Sequence, residues 1–380
     1  MLNETLYVTT KRDARLLASA MRVSVRRAVV APRLTAFSRS ATSPRSRRAS
    51  SVAPRAFADP IMIVSDLDGT MVGDDAATAA FTAAWAEEGA FPPGSALVYS
   101  TGRSLDSFAA LIAEKRDVMA VPDALICAVG TRVYKRVDAA SAAPSLVESV
   151  LKKLFFASKP SSETANASPL AVDVERELRC WIEDPDWTAR LDADWDAGIV
   201  RAAAASAIAA AGAENAHLRP EEECSEHKIT LGVRDAHVET VLAEIERYCG
   251  KNGGGDAGKR TVPKLIASGT GGWQYVDVVP RLAGKLESLE YVRRAFGVPT
   301  DRTVACGDSG NDILMLSGEN KAIVVGNAQP ALVRWAERAS ATERKIHRRE
   351  RLFVAAEKEA LGVLEGLRAF GLMAAKEGEP

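Results

Sequence analysis

Four consecutive apolar residues, Ile61-Met62-Ile63-Val64, run directly into Ser65-Asp66-Leu67-Asp68-Gly69-Thr70. A strand that is apolar at every position must be covered on both faces, the condition of a parallel sheet flanked by helices. The same grammar recurs along the chain. Ala96–Tyr99 ends at Ser100-Thr101-Gly102-Arg103, and Ala124–Val129 closes on Gly130. Thr303–Cys306 enters Gly307-Asp308-Ser309-Gly310-Asn311-Asp312, and Ala322–Val325 is a further apolar run. Helices are expected between them at 75–90, 107–115, 286–296, 312–316 and 329–340, with charged helical sequence to the end. Strands alternating with helices predict an α/β fold, a Rossmann-like doubly wound parallel sheet.

Between residues 181 and 266 the pattern changes. An Ala-rich helix (201–211), a strand (228–233), a helix (236–249), a glycine-rich loop (252–258) and strands near 262–267 and 273–279 read as a separate α+β module. The stretch 138–172 is rich in Ala, Ser and Pro around one short expected helix, Leu146–Phe156, and reads as a surface insertion or linker. The expected organisation is therefore a leader (1–58), a first core part (59–137), the insertion (138–172), the inserted module (173–279) and a second core part (280–380).

Charge is unevenly spread over the 380 residues. Residues 1–60 hold twelve Lys or Arg against three acids, and the rest carries a surplus of ten acidic charges. So acidic a folded part excludes a phosphate-backbone binder, hence no nucleic-acid partner. From Met21 to Ala58 nine Arg and seven Ser occur without one acid, the composition of an organelle transit peptide that has no fold of its own. A plastid address is expected first, with a mitochondrion, or the cytosol, as alternatives. No run approaches the ~20 apolar residues of a membrane-spanning helix. Five scattered cysteines without a CxxC pair exclude a disulfide scaffold and a cysteine zinc site.

In an open parallel sheet, ligands bind beyond the carboxyl ends of the strands. Asp66 and Asp68, at i and i+2 after a strand, suit a nucleophile and a proton donor. Thr101, Gly102 and Arg103 offer a hydroxyl, an open backbone and a cation to an anionic oxygen. Lys285, after Leu282-Ala283-Gly284, can balance a carboxylate and a phosphoryl group. Asp308 and Asp312, with Asn311 between them, supply oxygen ligands for a hard cation such as Mg²⁺.

In this order the segments resemble the haloacid dehalogenase superfamily of phosphohydrolases, with the inserted module in the place of a type II cap. That resemblance implies that Asp66 becomes an aspartyl-phosphate and that Asp68 serves as general acid and then base. It also implies that Thr101 and Lys285 place the phosphoryl group, and that Mg²⁺ is held by Asp66, the Asp68 backbone carbonyl, Asp308 and Asp312. IMIVSDLDGTMV, YSTGRS, AVGTRVY, DADWDAGIV, Glu226-His227-Lys228, VDVVPRLAGK and ACGDSGNDILML together resemble sucrose-6-phosphate phosphatases over residues 60–340. The substrate so implied is a sugar phosphate, with Glu226, His227, Lys228, Gln274 and Asp277 of the cap on its hydroxyls. Phosphatases of mannosylglycerate or glucosylglycerol type, a phosphomannomutase-like isomerase and a non-catalytic partner of a sucrose-phosphate synthase remain the alternatives. Gly69 stands where sucrose phosphatases commonly have Asn or His, and Leu286 where they have Gly.

Overall fold

The computed structural model describes residues 59–137, 169–252, 261–269, 271–346 and 351–374. The leader, residues 138–168 of the insertion with the expected helix 146–156, and most of the glycine-rich loop lie outside the described residues. In chain order, β1 (Met62–Ser65), α1 (Asp75–Ala86), β2 (Ala96–Ser100), α2 (Leu105–Glu114), β3 (Ala124–Cys127) and β4 (Arg132–Arg136) come first. Then follow α3 (Pro169–Leu178), β5 (Trp181–Glu183), α4 (Pro185–Asp192), α5 (Ala197–Ala211), β6 (Ala216–Leu218), β7 (Ile229–Arg234), α6 (Val238–Asn252), β8 (Pro263–Ser268) and β9 (Trp273–Pro280). The chain continues with α7 (Lys285–Ala295), β10 (Thr303–Gly307), α8 (Ile313–Leu316), β11 (Lys321–Val324), α9 (Pro330–Ile346), β12 (Leu352–Val354) and α10 (Glu359–Ala369).

The large sheet has the order β12-β11-β10-β1-β2-β3-β4-β5, parallel from β12 to β3 and antiparallel at β4 and β5. Its central strands are buried on both faces, and the alternation of side chains divides them between two apolar clusters. Ile63, Leu97 and Leu125 enter one cluster, while Met62, Val64, Val98 and Ile126 enter the other. Helices start where a side chain caps them: Asp74 accepts from the Ala77 N–H at 2.9 Å and Ser104 from the Ser107 N–H at 3.2 Å.

Trp181–Glu183, set with the inserted module from sequence, pairs with β4 and forms the edge of the large sheet instead. Trp181 is buried in the core cluster and donates its indole N–H to Glu177 at 3.1 Å, which fixes this segment to the core. β12 is a second edge strand that charged surroundings hid. Ala124–Val129 ends as a strand at Cys127, because Ala128, Val129 and Gly130 turn to φ values of 49°, 60° and 84°.

The smaller sheet is antiparallel, β6-β7-β9-β8. Ile229, Leu231, Val233, Val276 and Val278 are fully buried on the face that α5 and α6 cover. The other face carries Thr230 beside Asp277 and Gly232 beside Tyr275. Its near end, Ile266 and Val279, packs into one of the core clusters. The cap is therefore seated on the core through the open face of its own sheet.

Candidate active site

Asp66 leaves the tip of β1 with its N–H bonded to the Cys306 carbonyl of β10 at 3.0 Å, so its place is set by the sheet. Lys285, the first residue of α7, points its buried ammonium at it. Nζ donates to Asp66 Oδ1 at 2.5 Å, Asp312 Oδ1 at 2.7 Å and Asn311 Oδ1 at 3.3 Å. The turn carrying Lys285 is pressed against the loop after β3. A Cβ on Gly130, at φ +84°, would run into the Gly284 peptide, so only glycine permits this approach.

Asp308 follows β10 and accepts from the Thr70 hydroxyl at 3.1 Å through Oδ1. Gly69 has φ +82°, and a Cβ there would lie 2.8 Å from Asp308 Oδ2. Glycine at 69 thus leaves the Asp308 carboxylate its space. Asp312 is fully buried. Its Oδ2 accepts from the N–H groups of Asp308 (3.2 Å) and Ser309 (3.0 Å) and from the Ser309 hydroxyl (3.2 Å). Both Asp312 oxygens are thereby engaged, one by Lys285 and one by the loop that it braces.

One oxygen from each of Asp66, Asp308 and Asp312 lies within 4.8 Å of the other two, and one ammonium bonds two of the three carboxylates, Asp66 and Asp312. Burial pushes the Asp66 carboxyl up to about 8 against the pull of Lys285. Burial and then the Asp312 charge push Asp308 up to about 6. For Lys285, burial opposes the charge, but Asp312 and Asp66 outweigh it and raise its pKa. An all-oxygen donor set with uncompensated negative charge fits a hard divalent cation.

One prediction follows from the sign of these shifts. Both carboxyls rise from the usual 3.8, so the cation-free folded protein binds more protons than the unfolded chain from about pH 4 to about pH 8. Its stability contribution is present below that window and lost as pH rises through it. A cation that binds the ionised pair displaces those protons and therefore stabilises more at higher pH. Thermal unfolding with Mg²⁺ and with a chelator is expected to differ more near pH 8 than near about pH 5.5. A difference that does not change with pH would sink the assignment of these carboxylates to the cation.

Thr101 is buried at the tip of β2, where its hydroxyl accepts from the Arg103 N–H at 3.1 Å. Gly102 is exposed beside it. Asp68 lies apart from the acidic cluster, and both its oxygens are taken by the Arg103 guanidinium, Nε to Oδ2 at 2.8 Å and Nη2 to Oδ1 at 2.6 Å. The group beside Asp68 is thus a cation, since the Arg103 side chain reaches back across 35 residues of sequence.

In the cap, Lys228 Nζ lies 3.5 Å from Asp277 Oδ1, and the Thr230 hydroxyl donates to the same oxygen at 2.7 Å. Lys228, Thr230 and Asp277 are buried together. His227 is fully buried, with Nε2 2.7 Å from Asp192 Oδ1 and its ring against Trp195, so it ties the turn to the end of α4. Glu226 is exposed, and its backbone carbonyl accepts from the Trp195 indole at 2.7 Å. Asp196 caps α5 through the Ile199 N–H, so Trp195-Asp196 joins helix start to turn. Gln274 pairs with Val233 in register and lies on the helix-covered face, opposite Asp277. Gln274 and Asp277, both expected on the sugar hydroxyls, thus lie on opposite faces of β9, as strand parity requires of residues three apart.

Three contributors escaped the sequence. Thr70 and Ser309 hold Asp308 and Asp312, and Asn327, just beyond β11, donates to the Gly69 carbonyl at 2.7 Å. The position of Asn327 past the carboxyl end of a parallel strand was the available signal.

The family model of the sucrose-6F-phosphate phosphohydrolases matches residues 59–179 and 174–371. The chain belongs to that family. Among relatives of this sucrose-6F-phosphate phosphohydrolase family member, probable sucrose-phosphatase 2 of Arabidopsis thaliana is 29% identical over 300 residues, covering 77% of this chain and 56% of that protein. The chain thus spans little more than half the length of that relative. Mannosylfructose-phosphate phosphatase of Agrobacterium fabrum is 36% identical over 98 residues, 26% of this chain and 36% of that one. The crystal structure of the sucrose-phosphatase of Synechocystis sp. PCC6803, in complex with sucrose and phosphate, aligns with a TM-score of 0.57 at 22% identity. It covers 83% of this chain and 99% of that chain. The fold is accordingly the haloacid dehalogenase-like core with an inserted cap.

Proposed function

We propose that this chain is a Mg²⁺-dependent phosphatase that hydrolyses sucrose 6-phosphate to sucrose and phosphate. The observation that carries the reading is the buried set of Asp66, Lys285, Asp308 and Asp312 at the carboxyl end of a parallel sheet, in a chain of this family. A carboxylate oxygen of Asp66 attacks phosphorus in line while Asp68 gives a proton to the departing sugar oxygen. Asp68 then takes a proton from water, whose oxygen attacks the aspartyl-phosphate, and inorganic phosphate leaves with Asp66 restored. Lys285 and Thr101 hold phosphoryl oxygens, where positioning and charge do most to lower the barrier. When bound at Asp66 and Asp308, Mg²⁺ supplies positive charge against the repulsion between carboxylate and phosphate dianion.

In the cap, Lys228 and Asp277 are the proposed contacts to sugar hydroxyls, with Glu226 and His227 shaping the turn that carries them. Lys228→Ala is expected to raise KM for the sugar phosphate by about tenfold, the worth of a charged hydrogen bond, and to spare hydrolysis of a small aryl phosphate. Steady-state kinetics on both esters checks it, and equal losses on the two would remove the cap from specificity. Phosphate release across a panel of disaccharide and monosaccharide phosphates, with and without Mg²⁺, tests the whole proposal. Preference for another disaccharide phosphate is the second reading, favoured by the similarity to mannosylfructose-phosphate phosphatase. A phosphate kept on the sugar would make the chain a mutase instead. For the leader, we propose a plastid address, read by imaging residues 1–58 fused to a fluorescent protein.

A further inference from the structure

The Arg103–Asp68 pair is only partly shielded, with side chains 32% and 54% exposed. Ion pairs so exposed contribute little to stability, so the geometry needs another reason. That geometry is elaborate. The guanidinium grips both Asp68 oxygens in a fork, at 2.8 and 2.6 Å, and its third nitrogen, Nη1, donates to the Ser107 hydroxyl at 3.0 Å. The Arg103 backbone is pinned as well, its N–H to Thr101 Oγ1 at 3.1 Å and its carbonyl accepting from the Ala128 N–H at 2.9 Å. A rigid arm built on the β2 and β3 loops therefore ends on a side chain of the β1 loop.

We infer that Arg103 is a positioning residue that orients the Asp68 carboxyl for proton transfer through the lone pair that the fork leaves free on each oxygen, and is not a substrate ligand. The inference rests on the phosphatase reading above. A bidentate fork fixes both the rotation and the tilt of a carboxylate, which the single donor direction of an ammonium does not. Proton transfer from a misplaced acid fails where the leaving group needs the proton and is dispensable where it does not.

The test uses Arg103→Lys and Asp68→Asn, singly and combined, in the full chain. Two esters are compared, sucrose 6-phosphate with its poor alkoxide leaving group and p-nitrophenyl phosphate with its good one. For Arg103→Lys, kcat on the sugar phosphate is expected to fall about 10²-fold at nearly constant KM, the scale of general acid catalysis. The pre-steady-state burst of p-nitrophenolate, which reports phosphorylation of Asp66 alone, is expected to stay within about threefold of wild type, since no proton donor is needed there. In the Asp68→Asn background, Arg103→Lys is expected to cost nothing further, because two residues acting as one unit are not additive. A p-nitrophenolate burst slowed as much as kcat on the sugar phosphate, a KM rise at unchanged kcat, or additive losses in the double variant would each overturn the assignment. A wild-type protein that hydrolyses neither ester fails earlier and overturns the phosphatase reading, and this one with it.

Discussion

Asp66→Asn is expected to stop turnover, with phosphate release falling on the order of 10⁴-fold or more, while the protein stays folded. An amide has the shape of the carboxylate but cannot form the acyl-phosphate bond, so the covalent path closes. Stability is a separate matter, and here the magnitudes decide. Burial holds the Asp66 carboxyl up at about 8, so near neutral pH the cation-free site already favours its uncharged form. A neutral amide at 66 changes that balance little. Lys285 keeps a carboxylate partner in Asp312 at 2.7 Å, and is not left as an unpaired buried charge. Unfolding free energy is therefore expected within about 1 kcal/mol of wild type without added cation. Phosphate release, thermal unfolding and mass spectrometry of substrate-quenched wild type and variant check the three parts. A residual rate within tenfold of wild type removes Asp66 from the chemistry.

The parts of this fold that could be read in advance are those where burial leaves the sequence no choice. β1, β2, β3 and β10 are apolar at nearly every position because helices cover both faces of the sheet, and each announces its end by a sudden change to small or charged residues. β4 and β12 escaped for the converse reason. Arg132, Lys135 and Arg136 flank only two apolar residues, Val133 and Tyr134, on a partly exposed antiparallel strand, and Leu352–Val354 is a three-residue edge. Periodicity over so few residues does not separate strand from loop. The acidic cluster was legible because each member sits at a strand tip or a helix start, positions fixed by the backbone alone. What Arg103 touches was not, since a long side chain chooses its partner through direction, and direction depends on how two loops meet. His227 and Asp192 meet across 35 residues for the same reason. The face of Gln274 is a different case. Its distance of three residues from Asp277 already placed the two on opposite faces once β9 was recognised as a strand.

Lys285→Met tests the charge balance that holds the site together, and its effect is expected to depend on pH. With the ammonium gone, three carboxylates share a buried space with no resident cation. Near pH 8 the protein is expected to lose about 3–5 kcal/mol, the cost of leaving a buried charge without its partner. At lower pH the carboxyls of Asp66 and Asp308 take up protons, the repulsion fades, and the deficit shrinks. Methionine keeps the length and apolar stem of lysine, so packing is not the source of the difference. Mg²⁺ is expected to recover part of the stability, because positive charge of any origin relieves the carboxylates. It is not expected to recover the rate. The ammonium also fixes a phosphoryl oxygen at one point, and losing one such preorganised donor costs about 10²–10³-fold in kcat. Unfolding curves at two pH values, each with and without Mg²⁺, separate the electrostatic part from the catalytic part. A variant with wild-type kcat, or a stability deficit that is the same at both pH values, would mean that Lys285 neither balances these carboxylates nor holds the phosphoryl group.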